Sequence, residues 1–276
     1  MKKEELLQVQ TIVKEILSSV VKICENHNID YYLMFGTLIG AVRHKDIIPW
    51  DDDVDIGMTR ENCNLFLKYA KKELDKKYDI MIMGSGSNET YFEVKIFQKN
   101  ALYCIEGAER LNIANHVLID IFVLDNIKPQ SKSSKKLIKV LSLISLNKDE
   151  KKLILLSRKN KSVFTKLIDT ICLLFLHFIR SVFREKNIQK IIFRMCVDKT
   201  NDSDLVGCAL FLENCTWNKS FFAEKIKLQY GNNYYFAPKE FDKVLRITYG
   251  DYMQLPPEDK RYKPDLNKWI FEIIER

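Results

Sequence analysis

Residues 31–58, YYLMFGTLIGAVRHKDIIPWDDDVDIGM, constrain the fold of this chain more than any other stretch. They include an acidic cluster of four aspartates within five residues: Asp51, Asp52, Asp53 and Asp55. From Asp53 onward, acidic and apolar residues alternate, which is the pattern of a strand with one polar and one buried face. We therefore expect Asp53 and Asp55 on one side of a strand, with the apolar residues 54 and 56 anchoring the other side in the core.

Two carboxylates held this close together raise each other's pKa unless a cation lies between them. Mg²⁺ and Mn²⁺ are hard ions that prefer oxygen ligands, so either ion fits such a pair. The alternative is a solvated acidic turn, which is what most acidic clusters are. Because these aspartates lead into an apolar strand rather than a loop, we favour a metal site that includes Asp53 and Asp55.

A phosphate-binding corner is predicted just upstream of the aspartates. The apolar run 31–35 predicts a strand and the run 38–44 predicts a short helix, with Gly36 and Thr37 between them. A glycine at such a corner lets a phosphate approach the backbone N–H groups of a helix N-terminus. An ordinary tight turn would use the same residues, but Asp53 follows Thr37 by sixteen residues, as in a nucleotidyltransferase site.

A third carboxylate, Asp120, lies inside the apolar run VLIDIFVLD at 117–125. A charge buried there is costly unless it is paired. Asp120 is therefore either the partner of a buried cation, such as Arg43 or Arg110, or the third carboxylate of the site, which we favour. Asp125 is expected in the turn after this strand. Lys95, in the run YFEVKIFQ, is expected to pair with the acidic cluster or to hold a substrate phosphate.

The run FGTLIGAVRHKDIIPWDDDVDI resembles the signature of the LicD family of phosphotransferases, which are relatives of the fukutin group. The run IDIF around Asp120 also resembles part of that family, and YGDYMQLPPEDKR at 249–261 resembles its second signature. Where the family often has a histidine after this arginine, the chain has Tyr262, Lys263 and Pro264. The resemblance covers approximately residues 1–125 and 220–262, so it does not extend to the middle of the chain.

The resemblance implies an α/β (α+β) fold with a nucleotidyltransferase-like mixed sheet flanked by helices. It also implies transfer of a phospho-alcohol, such as phosphocholine, from a CDP-linked donor to a hydroxyl of a glycan or teichoic-acid precursor, releasing CMP. In this interpretation Asp53, Asp55 and Asp120 hold Mg²⁺ or Mn²⁺, and Asp120 accepts the proton of the attacking hydroxyl. The substrate-binding residues are then expected to be Gly36, Thr37, Arg43 and Lys95.

Two other functions remain open from the sequence. The first is a nucleotidyltransferase that places NMP on a small molecule or RNA with the same carboxylates and releases pyrophosphate. The second is a non-enzymatic scaffold whose basic helices recruit glycan assembly to membranes. The combination of a Gly-Thr corner with three carboxylates argues against the scaffold, which does not need such a set.

The charge distribution divides the chain into three parts. The whole chain carries +7, and residues 128–199 hold eighteen Lys or Arg against five Asp or Glu, so this segment carries +13. We predict a catalytic core at 1–127, a basic helical insertion at 128–200 and a C-terminal part at 201–276 that packs back on the core. Aromatic residues are not interleaved with the basic ones, so a nucleic-acid partner is not expected.

The expected location is the cytoplasm, at the inner face of the cell membrane. Seven cysteines form no CxxC pair and the N-terminus does not resemble a signal peptide. The apolar run 171–179 is too short to span a bilayer. It predicts either a buried core helix or an interfacial helix on anionic lipid, where a lipid-linked glycan acceptor would be found.

Periodicity predicts the remaining elements. Apolar residues recur every three or four positions up to Asn26, which is typical of one amphipathic helix. Thr59 is a candidate N-cap for a second helix through Leu74. Strands are predicted at 78–83, 91–98, 101–106 and 116–123, with a turn at Lys99 and Asn100, and a hairpin is predicted at 228–236. Pro238 is expected in the first turn of a helix that ends at Gly250.

Overall fold

The computed structural model of the protein describes residues 3–84, 91–109, 115–145, 185–209, 214–258, 261 and 269–274. The predictions made for Arg110 and for the run 171–179 fall outside these residues. The described helices are α1 Lys3–Asn26, α2 Phe35–Ile39, α3 Arg60–Glu73, α4 Lys132–Ser145, α5 Glu185–Cys196 and α6 Phe241–Tyr249. A π-helical turn at Gly40–His44 follows α2 directly, and a 3-10 turn lies at Lys219–Phe222.

Ten strands occur in the described ranges. They are β1 Tyr32–Leu33, β2 Asp55–Thr59, β3 Tyr78–Gly84, β4 Tyr91–Ile105, β5 His116–Asn126, β6 Leu205–Gly207, β7 Thr216–Asn218, β8 Lys225–Tyr230, β9 Asn233–Pro238 and β10 Trp269–Ile273. Eight of them form one sheet with the central order β1-β2-β5-β4-β10, and β8 and β9 form a separate hairpin. β2 and β5 are parallel whereas their other neighbours in this order pair antiparallel, so the predicted mixed sheet is confirmed.

The first helix covers one face of this sheet. The apolar positions that predicted α1 are all buried: Leu6, Val9, Val13, Ile16, Val20 and Ile23. α1 contacts β4, β5 and α3, and α3 contacts β2 and β5. The predicted N-cap of α3 is confirmed, because the Thr59 side chain accepts a hydrogen bond from the N–H of Asn62. These helices bury the apolar face of the strands that carry the aspartates.

β4 is longer than the sequence predicted. A turn at Lys99 and Asn100 was expected, but the strand continues through both residues. The first half of β4 pairs with β3 up to Gln98, and the second half pairs with β10 from Ala101. Lys99 and Asn100 thus lie between the part of β4 that pairs with β3 and the part that pairs with β10, and the chain does not reverse its direction there.

The C-terminal hairpin formed by β8 and β9 is confirmed, but the helix after it begins later than predicted. Pro238 is the last residue of β9, where it lies opposite Lys225, and α6 starts at Phe241. α6 ends at Tyr249 as predicted, and Gly250 follows with a φ of +71°, a conformation that favours glycine. Proline therefore marks the end of an edge strand here rather than the start of a helix.

The ends of the basic segment meet in a short stem. Ile127 and Val197 form an isolated antiparallel β-bridge, and the N–H groups of Lys128 and Asp198 donate across it at 2.8 Å. Beyond the stem, α4 and α5 share a small apolar core that also includes Phe92 of β4. In the part of the chain that the structure describes, no helix combines the length and the apolarity that crossing a bilayer requires.

Asp125 is not in a turn, so that prediction is wrong. It lies in β5, is 4% exposed, and accepts hydrogen bonds from Arg60 Nε at 2.7 Å and Nη2 at 2.6 Å. The Arg60 guanidinium lies 5.0 Å from the ring centre of Tyr91 and 4.9 Å from that of Phe193. β5 therefore carries a second buried carboxylate, which an arginine from the start of α3 neutralises.

This ion pair predicts a stability effect. We expect Asp125→Ala to lower the free energy of unfolding by about 3–5 kcal/mol, because it leaves the Arg60 charge buried without its partner. Asp242→Ala, which removes an exposed partner of Arg246 on α6, is the matched control and should have a much smaller effect. Urea unfolding measures both. Equal losses in the two variants would contradict a stabilising role of the buried pair.

Candidate active site

The acidic cluster lies at the start of β2, as the sequence indicated. Asp55 is the first residue of the strand, and its N–H donates to Thr37 Oγ1 at 2.8 Å. Thr37 is buried, with 3% of its surface exposed, and Val54 and Ile56 are completely buried. The apolar residues anchor the chain in the core, and the threonine hydroxyl fixes where the strand begins.

The Gly36 corner packs directly against the aspartates. α2 starts at Phe35, so Gly36 and Thr37 lie inside its first turn, and the helix continues as the π-helical turn 40–44. A Cβ atom placed on Gly36 would be 2.8 Å from Asp51 Oδ2. Only glycine allows this approach without a shift of the carboxylate. The predicted helix therefore exists but begins about one turn earlier.

Three carboxylates converge in front of the strand. Oxygens of Asp51, Asp52 and Asp53 lie within 4.8 Å of one another. Asp52 is 4% exposed, and its Oδ2 accepts a short hydrogen bond from the hydroxyl of Tyr103 on β4. Sequence analysis assigned no role to Asp51 and Asp52. The buried bond to Tyr103 shows that Asp52 is held by the sheet.

The parallel pairing of β2 and β5 brings two further carboxylates together. Asp55 lies opposite Asp120 in this register. Burial raises the pKa of Asp55 well above its ordinary value, and the negative charges of Asp53 and Asp120 raise it further. Asp53 and Asp120 thus both lie close enough to Asp55 for their charges to act on it.

A buried lysine faces Asp120. Lys95 Nζ donates to Asp120 Oδ1 at 2.5 Å and to Glu93 Oε1 at 2.8 Å. Burial opposes the charged form of Lys95, but the two carboxylates raise its pKa. For Asp120, burial and Glu93 raise the pKa to about 7, against the lowering effect of Lys95. Of the two arginines considered as partners of Asp120, Arg43 donates to the carbonyl oxygen of Tyr252 instead, and Arg110 lies outside the described residues. The described partner of Asp120 is Lys95.

The donor atoms of this site fit a hard divalent cation. All the candidate ligands are carboxylate oxygens, the type that Mg²⁺ and Mn²⁺ prefer. Among the described residues, the cation hydrogen-bonded to this group is Lys95, and it contacts Asp120 and Glu93. Burial is the main cause of the raised pKa of Asp55, and the negative charges of Asp53 and Asp120 add to it. A divalent ion there would relieve this repulsion.

The second signature, residues 249–261, folds back onto the first. The carbonyl oxygen of Tyr252 accepts from Arg43 Nη1 at 2.7 Å, and Arg261 lies 5.5 Å from the ring centre of Trp50. Tyr249 is 47% exposed as a residue, yet burial of its phenol and the charge of Asp55 raise its pKa. The resemblance to the second signature was the sequence signal for these residues, but it did not indicate their contacts.

A cleft of about 900 Å³ lies elsewhere, at the opposite end of β2 and β5. Its lining includes Thr59, Arg60, Asn126 and Lys199, but none of Asp53, Asp55 and Asp120. Volume alone does not locate the chemistry of this protein. We favour the start of β2 as the candidate site, because a bound ligand or ion would relieve the repulsion between its buried carboxylates.

Comparisons with known proteins agree with this assignment of the fold. Residues 28–136 match the LicD/FKTN/FKRP nucleotidyltransferase domain. Over 270 residues the chain is 28% identical to the lipopolysaccharide cholinephosphotransferase LicD of Haemophilus influenzae, covering 94% of this chain and 95% of that protein. A stretch of 54 residues is 46% identical to the ribitol 5-phosphate transferase FKRP of Homo sapiens, covering 18% of this chain and 11% of that protein.

The burial of Asp120 predicts a pH dependence of stability. Its pKa is about 7 in the fold against an ordinary 3.8, so folding favours the protonated form. The resulting stabilisation is complete below the ordinary pKa and is lost as the pH rises through the folded value. We expect the free energy of unfolding, measured in EDTA, to fall between pH 4 and pH 8 less steeply in Asp120→Asn than in wild type.

Glu61→Gln is the control for this measurement, because it removes an exposed carboxylate at the start of α3. It should keep the wild-type slope. Parallel curves for wild type and Asp120→Asn would show that Asp120 is not the group that titrates.

Proposed function

We propose that this chain is a phosphotransferase of the LicD type that uses a CDP-alcohol donor, because its residues 28–136 match the nucleotidyltransferase domain of that family. The phospho-alcohol is transferred to a hydroxyl of a cell-surface glycan or teichoic-acid precursor, and CMP is released. The observation that carries the proposal is the crowding of Asp53, Asp55 and Asp120 beside the Gly36–Thr37 corner. The similarity to a cholinephosphotransferase along nearly the whole chain supports a phosphocholine-like group.

Asp53, Asp55 and Asp120 would hold the Mg²⁺ or Mn²⁺ of this site. Bound there, the ion would neutralise phosphate oxygens of the donor, which is the main requirement of this type of transfer. The chain itself supplies the placement. Thr37 fixes the start of β2 through the N–H of Asp55, and Gly36 leaves the space in which Asp51 approaches the backbone.

Asp120 is the residue we assign to proton transfer. With the ion bound, its carboxylate would stay ionised at neutral pH, which is the form that accepts a proton. Lys95 holds the carboxylate from one side by a 2.5 Å hydrogen bond. The acceptor hydroxyl gives its proton to Asp120. The oxygen of that hydroxyl then forms a bond to the phosphorus that carries the alcohol, and the bond from this phosphorus to the CMP oxygen breaks. CMP leaves with the electron pair of that bond.

A donor screen tests this function directly. Purified protein is incubated with CDP-choline, CDP-ribitol or CDP-ethanolamine, a glycan acceptor and Mg²⁺, and the nucleotide product is identified. Our proposal expects CMP from one of these donors, only when the acceptor is present. Release of pyrophosphate from a nucleoside triphosphate, with no CMP from any donor, would instead favour the nucleotidyltransferase considered from the sequence.

We expect Asp53→Asn and Asp55→Asn to lower turnover at least about a thousandfold, because each removes a charge that positions the donor phosphates. Both variants should remain folded, since removing one of several repelling charges relieves repulsion in the folded protein. Turnover and circular dichroism measure the two effects, and EDTA should abolish wild-type activity. Glu61→Gln is the matched control. Full activity of either variant, or of the wild type in EDTA, would disprove the metal assignment.

We also propose that the basic segment holds the protein at an anionic membrane surface. α4 contains four lysines and no acidic residue. Leu137, Val140 and Leu143 of α4 are 49%, 48% and 42% exposed. A helix with apolar residues flanked by exposed lysines is typical of binding to the headgroup region of anionic lipid.

Liposome sedimentation measures this contact. We expect wild type to sediment with phosphatidylglycerol vesicles at low salt and much less at high salt, because salt screens the lysines. Charge reversal of Lys132, Lys136 and Lys139 should lower binding at least about tenfold, since each lysine contributes about 1 kcal/mol at such a surface. Reversal of Lys68, Lys71 and Lys72 on α3 is the matched control. Equal binding by both triple variants would contradict the role of α4.

A further inference from the structure

The cleft of about 900 Å³ at the carboxyl ends of β2 and β5 takes no part in the proposed transfer. Thr59 ends β2, and it lies opposite Leu124 near the end of β5. In open α/β sheets, ligands bind in the crevice beyond the carboxyl ends of parallel strands. At about 3.3 Å per residue, Thr59 lies about 13 Å along β2 from Asp55, so the cleft is separate from the acidic cluster.

All three parts of the chain line this cleft. The core contributes the start of α3, and the basic segment contributes the end of α5 and the turn after it. The C-terminal part contributes the 3-10 turn at Lys219–Phe222. A cleft of this size at the junction of separate parts of a chain is typical of a ligand site.

Most of the buried lining residues are apolar, whereas most of the exposed ones are polar. The buried apolar side chains include Tyr32, Leu124, Phe193 and Val206. The exposed polar side chains include Asn64, Asn201, Asn218 and Ser220. A ligand that matches such a lining has apolar faces and polar edges. A sugar ring has both, because its C–H groups lie on its faces and its hydroxyls lie around its edge.

The charges in the lining nearly balance. Among the described residues, three basic and four acidic side chains line the cleft. Arg60 and Asp125 neutralise each other in the buried pair, and the Asp198 carboxylate accepts hydrogen bonds from Thr200 and Ser203. A cleft that attracts phosphates is lined by an excess of positive charge. The lining of this cleft therefore favours an uncharged ligand.

Three asparagines in the lining are held by their amide oxygens. Asn64 Oδ1 accepts from the hydroxyl of the tyrosine that begins β4 at 2.6 Å, and Asn218 Oδ1 accepts from the N–H of Ser220 at 2.9 Å. Asn201 Oδ1 accepts from the amide of Asn126. In the part of the chain that the structure describes, the NH₂ groups of the three asparagines donate no hydrogen bond. Each NH₂ group offers two donors, and a sugar hydroxyl can accept from them.

We propose that this cleft binds an uncharged segment of a glycan, with sugar rings against the apolar side chains and sugar hydroxyls on the three asparagine NH₂ groups. That this glycan is the acceptor rests on the proposed function, whereas its binding in the cleft does not. An acceptor bound here would present its reacting hydroxyl at a raised effective concentration. Asn64, Asn201 and Asn218 are binding residues, and transfer itself takes place at the carboxylates.

Calorimetric titration tests the cleft without turnover. The probes are the neutral oligosaccharides maltotetraose, cellotetraose and chitotetraose, and CDP-choline with Mg²⁺ serves as the probe of the transfer site. We expect wild type to bind at least one oligosaccharide. Asn64→Ala, Asn201→Ala and Asn218→Ala should each bind it about three- to tenfold more weakly, because each loses hydrogen-bond donors. Ala223→Trp should abolish binding, because the larger side chain fills the cleft. The affinity for CDP-choline should not change in any of these variants.

Asn28→Ala is the matched control for Asn201→Ala, because both asparagines are exposed and have a positive φ, of 53° and 63°. It should bind every probe as wild type does, and circular dichroism should show that all variants are folded. If wild type binds none of the oligosaccharides, or if Ala223→Trp binds them unchanged, the inference is overturned and the proposed function is left intact. A loss of CDP-choline affinity in the cleft variants would also overturn it, because the cleft would then serve the donor. If oligosaccharides bind in the cleft but no CDP-alcohol yields CMP, the glycan site stands and the proposed function is wrong.

Discussion

The parallel pairing of β2 with β5 is the constraint on which the rest of the site depends. It places Asp55 opposite Asp120, so two strands far apart in sequence contribute like charges to one point. Their buried faces explain why this costly arrangement persists, since Val54, Ile56, Ile119 and Ile121 are all fully buried. The hydrophobic core thus holds in place carboxylates that would otherwise move apart.

Local patterns were sufficient where an element is defined by its own sequence. The spacing of apolar residues gave the bounds of α1, a capping threonine gave the start of α3, and a glycine gave the end of α6. They failed where a distant partner decides the outcome. Lys99 and Asn100 look like a turn, but β3 and β10 together keep β4 extended through them. Asp125 looks like a turn residue until Arg60 is seen beside it.

The candidate site also has one part that local sequence indicates and another that depends on distant partners. Asp53, Asp55, Gly36 and Thr37 could be grouped from one continuous stretch, and the apolar setting of Asp120 singled it out. Lys95 was expected to pair with the acidic cluster or with a phosphate, and strand register decides between them, because Lys95 lies opposite Asp120 across β4 and β5. The contacts of residues 249–261 were also beyond sequence reasoning, since about two hundred residues separate Tyr252 from Arg43.

The stem between Ile127 and Val197 has a consequence for how this protein can vary. A β-bridge and its flanking hydrogen bonds bring the two ends of the basic segment together, and beside them α4 and α5 pack against Phe92 of β4. The entropy of closing a loop grows only slowly with its length. A change in the length of the chain between α4 and α5 would therefore cost little while the stem and the contact with Phe92 are kept. This part of the sequence can vary without moving β2 away from β5.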